Sequence, residues 1–308
     1  MRIVYSDGYF LQLGDHVFPA AKYRRVKDQL VELGVIAPGD VIEPEPATDE
    51  EVLLVHAPSY VGKLRTGLFS SLEAVRHEVP YSRDLVGAFY LAAGGTVRAG
   101  RLALEEGIGV NLGGGFHHAF PDHGEGFCLV HDVAVAIRRL QKDRSIATAM
   151  VVDCDVHHGN GTAAIFRKDD SVFTFSIHQA NNYPAWKPPS NLDIDLADGT
   201  GDGEYLDRLR EGLSAALGRF RPDLIFYVAG ADPYVGDRLG GLGLTLAGLE
   251  ERDRLVLRAA RERKTPVCIT LAGGYAERVE DTVTIHVNTV RTARQLLETE
   301  RRPPARVG

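Results

Sequence analysis

Cysteine is scarce in this chain: three residues, Cys128, Cys154 and Cys268, in a length of 308. An odd count cannot close fully into disulfides, and each thiol lies in or beside an apolar run. All three read as small buried hydrophobes of a reducing compartment, which excludes a disulfide-stapled secreted scaffold. Long hydrophobic runs are also missing. No stretch approaches the about 20 apolar residues that cross a bilayer, and Met1 to Gly8 lacks the apolar segment of a signal peptide. The expected location is the cytoplasm. Positive charge is in deficit, 35 basic against 42 acidic residues for a net charge of −7, so no nucleic-acid footprint is expected. The one basic cluster, Arg301, Arg302 and Arg306, lies in a proline-containing end and reads as a disordered tail. No linker, low-complexity tract or fixed-period repeat divides the chain. The expected organisation is one domain over 1–300 and a tail over 301–308.

What is present is an ordinary globular composition, 44% hydrophobic and 25% charged, with strand and helix patterns in alternation. Strands are expected at 3–5, 108–112, 147–152, 224–229 and 267–271. Helices are expected at 20–33, 83–106 (with Ser82 as cap), 133–141, 160–166, 203–220, 246–262 and near 281–298. Alternation of this kind predicts an α/β protein with a mostly parallel sheet covered by helices on both faces, a three-layer αβα arrangement. Residues 178–203 show little periodicity and read as a long loop, with Tyr183 and Trp186 giving it aromatic surface at a substrate mouth.

Chemistry collects where the strands end. Asp153-Cys-Asp155-Val-His157-His158-Gly-Asn160-Gly follows an apolar strand and precedes a helix start. In an open α/β sheet, the carboxyl ends of the strands form the ligand crevice. Side chains alternate along a strand, so Asp153, Asp155 and His157 are expected to share one face while Cys154 and Val156 share the other. Oxygen and nitrogen donors together suit a borderline divalent ion. Three more strand ends carry reactive groups: His117 and His118 after three glycines, Asp232, and Tyr275 after Gly273-Gly274. A bland network of polar turn residues would not repeat at four strand ends.

In order, Gly114-Gly-Phe-His-His118, Gly126-Phe-Cys128, Asp153 to Gly161, Gly236-Asp-Arg-Leu239 and Gly273-Gly-Tyr275 resemble the motifs of the zinc-dependent histone deacetylases. The resemblance spans about residues 3–297. Phe116 before the histidine pair and Gly236-Asp-Arg-Leu-Gly-Gly241 look most like the class IV branch and its bacterial relatives. The resemblance implies the arginase–deacetylase fold with an eight-stranded parallel sheet, and hydrolysis of an acyl-lysine amide by metal-activated water. Asp155, His157 and Asp232 are the expected ligands of zinc, with ferrous iron as the alternative. His118 is the candidate base with His117 as its electrostatic partner, and Tyr275 the oxyanion donor. The family further implies that Asp153 holds His117, that Asn160 stands where class I enzymes hold the base with an aspartate, and that the Gly126 carbonyl receives the substrate amide. Phe127 and Tyr183 would flank a tunnel for the lysine stem. Asp153 and Ser176 match positions that bind a structural potassium ion.

Three rivals stay open. An arginase-like binuclear manganese site would need carboxylates where Gly159 and Gly230 stand. A non-catalytic acyl-lysine binding module would be expected to lack a ligand, the base or the tyrosine, and none is missing. An acetylpolyamine hydrolase, acting on a small acylated amine, favours an acidic gate where this chain has Leu239. Phe116 is smaller than the tryptophan of class I relatives, so space beneath the metal should admit acyl chains longer than acetyl.

Overall fold

The computed structural model describes residues 1–10, 13, 14 and 16–301. Its strands are β1 (Ile3–Val4), β2 (Val41–Ile42), β3 (Ile108–Asn111), β4 (Ala149–Asp153), β5 (Val172–Gln179), β6 (Leu192–Leu196), β7 (Leu224–Val228) and β8 (Val267–Thr270). They form one eight-stranded sheet in the order β2-β1-β3-β8-β7-β4-β5-β6, and every strand pair is parallel. The helices are α1 (Lys22–Glu32), α2 (Asp49–Val52), α3 (Pro58–Thr66), α4 (Ser71–His77), α5 (Arg83–Glu106), α6 (Asp132–Lys142), α7 (Asn160–Phe166), α8 (Asp202–Arg219), α9 (Leu246–Glu262) and α10 (Val279–Arg301). This is the three-layer arginase–deacetylase architecture.

Period-two alternation explains the layers. Phe226 and Val228 of β7 and Val151 of β4 pack with Val97, Leu102, Ile137 and Leu140 from α5 and α6. The alternate residues Ile225, Tyr227, Met150 and Val152 join Val26, Leu213, Leu249 and Val290 from α1, α8, α9 and α10. Both faces of the sheet are therefore buried, which is why its strands read as near-continuous apolar runs rather than half-polar ones. Ser82 caps α5 as expected, its hydroxyl accepting from the Leu85 amide at 3.0 Å.

One expectation needs correction. The segment 178–203 is not one loop: β5 runs through Gln179, and β6 pairs with it in parallel as an edge strand. Its burial pattern is mixed because an edge strand has one side open. The irregular parts are the stretch between these strands, around Tyr183 and Trp186, and the short link 197–201 from β6 to α8. Helix α10 reaches Arg301; the rest of the expected tail, 302–308 with Arg302 and Arg306, lies outside the described residues.

Candidate active site and metal centre

The ends of β3, β8, β7 and β4 are neighbours in the sheet, so the four reactive strand ends meet at one rim. β4 stops at Asp153, and the chain then folds through two turns closed by side chains. Asp153 Oδ1 accepts from the Asp155 amide at 3.1 Å, and Asp155 Oδ1 from the His157 amide at 3.0 Å. Strand alternation therefore does not extend past Asp153, and the expected common face of Asp153, Asp155 and His157 does not exist. Asp153 turns instead to His117, 2.7 Å from its Nδ1. Asp155 and His157 join Asp232, in the loop after β7, with one donor atom from each within 4.8 Å of the others. Cys154, fully buried, stands outside that group.

Whether an ion fits can be read from the donors themselves. Asp232 is fully buried; its Oδ1 accepts from the Val156 amide at 2.9 Å, while Oδ2 has no hydrogen-bond partner. That oxygen faces the His157 ring, with Nδ1 at 3.5 Å, and a buried carboxylate oxygen without a hydrogen bond beside a second carboxylate is costly unless a cation shares it. Asp155 Oδ2 is held by the Gly273 amide at 3.0 Å. A Cβ at Gly273 would overlap both carboxylates, so that position must stay bare. Burial opposes the charged ring of His157, but Asp155 and Asp232 outweigh it and push it up to about 10. Asp232 is pushed up by burial and by the charge of Asp155. Two carboxylates and one imidazole are competing here for a positive charge, and the set fits a divalent metal.

The two histidines before this centre are driven apart. Burial disfavours the charged form of His117, but Asp153 and Asp155 prevail and raise it to about 9. His118 is held well below its ordinary value by burial and then by the charges of His117 and His157. Opposed shifts in adjacent groups separate a charged partner from a neutral base. The His118 Nδ1 lies 2.7 Å from Asn160 Oδ1. Tyr275 is buried against Phe18 and Phe127 with ring centroids at 6.1 and 6.0 Å. Burial and the nearby carboxylates Asp232 and Asp155 keep its hydroxyl protonated.

His117, His118, Asp155, His157 and Tyr275 line a cavity of about 170 Å3. Gly126, Phe127, Tyr183, Leu239 and Phe116 line the same space. The Tyr183 ring meets His118 edge-on at 4.9 Å. Phe116 packs edge-to-face on Phe89 of α5 at 4.5 Å, yet still borders the cavity. Ser176 sits directly across from Asp153 in the β4–β5 register, its hydroxyl 3.0 Å from His178 Nδ1.

Sequence reasoning missed Lys22, Glu78 and Asp237. Lys22 is fully buried, donates to the Ala272 carbonyl at 2.6 Å and lies 5.8 Å from the Tyr275 ring centre. Its spacing from Val26 and Leu30 placed it on the buried stripe of α1, and that was the available signal. Asp237 accepts from the Tyr275 amide at 2.6 Å and from Leu239 and Gly240, tying two motif loops together. Glu78 lines the mouth from the left-handed end of α4, and no periodicity marks it.

The Histone deacetylase domain family model matches residues 16–290. The chain belongs to the histone deacetylase family. Among relatives, an uncharacterized protein of Picosynechococcus is 41% identical over 96% of this chain and 98% of its own length. Histone deacetylase 2 of Arabidopsis thaliana is 31% identical over 89% of this chain and 74% of its own. The acetoin utilization protein AcuC of Bacillus subtilis is 29% identical over 88% and 76%. Solved structures agree in fold: the HDA15 HD domain has a TM-score of 0.79 at 24% identity, covering 95% of this chain and 88% of that one. A histone deacetylase homolog from Aquifex aeolicus gives 0.79 at 24% identity, over 98% and 85%. Family membership and fold together make this histone deacetylase relative a hydrolase of the zinc-dependent superfamily. Among the described residues, no helix is long and apolar enough to cross a membrane.

Proposed function

We propose that this histone deacetylase relative removes acyl groups from lysine side chains, using zinc held by Asp155, His157 and Asp232 and residing in the cytoplasm as a single catalytic domain over 1–300. The observation that carries the reading is the cluster of Asp155, His157 and Asp232, in which a buried Asp232 oxygen has no hydrogen-bond partner, behind a cavity lined by Asp155, His157, His118 and Tyr275. A bound divalent ion supplies Lewis acidity toward a carbonyl and a water. Neutral His118 takes the proton of the attacking water, with charged His117, oriented by Asp153, beside it. Tyr275 donates a hydrogen bond to the oxygen that gains charge. The Gly126 carbonyl accepts the substrate amide N–H, and Phe127 and Tyr183 enclose the lysine stem.

Leu239 at the mouth supports an uncharged stem, while exposed Glu78, which lines the same cavity, keeps a small acylated amine as the second reading. A potassium site on Asp153 and Ser176 rests on their cross-strand register. Ferrous iron is the alternative ion at the main centre. We further propose, from Phe116 and Gly236-Asp-Arg-Leu-Gly-Gly241, a class IV-like preference for long acyl chains. Gly114, Gly115 and Phe116 extend the cavity lining, and each buried methylene there adds about 0.8 kcal/mol.

The test is metal analysis and turnover on one sample, comparing acetyl-lysine peptides, long-chain acyl-lysine peptides and acetylated polyamines. One zinc per chain and a higher kcat/KM for the long-chain peptide are expected, with Phe116→Trp reversing the chain-length order. Two manganese ions per chain, or no hydrolysis by metal-replete protein, would overturn the assignment. A preference for acetyl would leave a simple deacetylase.

A further inference from the structure

The base is held by an amide, and an amide has two different ends. Asn160 can turn either its oxygen or its nitrogen toward His118, and only the surroundings decide which. Two neighbours decide it the same way. The Gly161 amide donates to Asn160 Oδ1 at 3.0 Å, and Asn160 Nδ2 donates to Glu125 Oε2 at 3.2 Å. Glu125, ionised, can only accept. Oδ1 therefore faces His118, and the imidazole must present Nδ1–H to it.

Glu125 is itself fixed. It exchanges both backbone hydrogen bonds with Cys128, at 3.1 and 2.9 Å. The two residues between them, Gly126 and Phe127, have φ of +50° and +64°. That is a tight two-residue hairpin with both central residues left-handed. The turn that presents Gly126 and Phe127 to the cavity is thus the same turn that anchors the Glu125 carboxylate. His123, with Nε2 3.9 Å from Glu125 Oε2, lies on its outer side.

We propose that Glu125 is a positioning residue for the base: its carboxylate holds the Asn160 amide with the oxygen toward His118, which keeps the proton on Nδ1 and the lone pair of Nε2 free. An aspartate at 160 would accept at either oxygen and need no such support. The asparagine has two such supports, the Gly161 amide at Oδ1 and the Glu125 carboxylate at Nδ2, and Glu125 is the one a substitution can remove.

The inference rests on His118 being the base of the proposed reaction, and its test has an arm that does not. Glu125→Leu removes the acceptor; Glu125→Gln keeps one. On the best substrate of the panel, Glu125→Leu lowers kcat roughly tenfold with KM within about twofold, and Glu125→Gln stays within about threefold of the parent. In an Asn160→Asp background, Glu125→Leu brings no loss, because the carboxylate at 160 has no donor end to control and is relieved of a like charge at that contact. Equal losses in both backgrounds, or a change in KM alone, would overturn the proposal. Nitrogen-15 NMR of the histidine rings gives the second arm: His118 is Nδ1-protonated in the parent and Glu125→Gln, and loses that single tautomer in Glu125→Leu. An unchanged tautomer in Glu125→Leu sinks the proposal even if no substrate is found, whereas absent turnover in the parent sinks the proposed function instead.

Discussion

An amide at position 160 leaves the His118 imidazole paired with a neutral acceptor 2.7 Å away. Burial and the positive charges of His117 and His157 already hold His118 well below its ordinary value. Asn160→Asp places a negative charge at that contact and raises the value again. A base works only when unprotonated, so activity is lost as pH falls through its pKa. The acidic limb of the kcat/KM profile is expected to move to higher pH in Asn160→Asp, and an unmoved limb would remove His118 as the base. Tyr275→Phe should bind the same amount of metal and fold alike while turnover falls roughly 10²–10³-fold, the usual cost of one oxyanion donor. Activity within a few-fold of the parent would take Tyr275 out of the reaction. These residues were legible because each sits beside glycines at a strand end, where small residues and reactive ones stand out. Lys22 was not, since an isolated lysine opening a helix ordinarily points to solvent, and its burial depends on Phe18, Tyr23 and Tyr275 closing over it.

Short elements before α5 carry a pH dependence of their own. His56, between α2 and α3, is buried; its Nδ1 lies 2.9 Å from the Phe120 carbonyl, and Nε2 accepts from the His131 amide at 3.0 Å, at the start of α6. That geometry requires a neutral ring, and burial lowers His56 to about 4. The folded value lies below the ordinary 6.5, so its stabilisation is complete above pH 6.5 and lost as pH falls toward 4. The contribution is roughly 3 kcal/mol across the window. His56→Gln should therefore unfold in urea with a shallower pH dependence between 6.5 and 4.5 than the parent; parallel curves would count against it. Long elements such as α5 and α9 were readable from periodicity and caps. The short α2, α3 and α4 were not, because four to nine residues give too few repeats of a helical stripe. Strand β6 escaped for a related reason: one open side makes its apolar pattern incomplete.

Across the molecule, the metal centre and the fold share their free energy. Asp155, His157 and Asp232 hang from β4 and β7, and a divalent ion would join those strands while relieving the crowded carboxylates. Zinc at about 100 times its dissociation constant adds roughly 2.7 kcal/mol, or about 5 °C in melting temperature. Chelation should reverse that gain, and an unchanged melting curve would argue against a site on these residues. Since His157 is pushed up to about 10, metal uptake at pH 8 should release about one proton per ion. Calorimetry in two buffers of different ionisation enthalpy reads that number, and identical heats would contradict it. The strand order carries a consequence for how the chain is made. β8, the last strand in the sequence, lies between β3 and β7 in the centre of the sheet. A nascent chain that has emerged only through α9 already contains every expected ligand and both histidines of the pair, but its sheet is two unjoined pieces, β2-β1-β3 and β7-β4-β5-β6. The sheet is therefore closed like an arch with its keystone set last: the three expected ligands already share the β7-β4-β5-β6 piece, but the histidine pair follows β3 on the other piece and Tyr275 follows β8, so gathering all of them at one rim waits for the final stretch of translation.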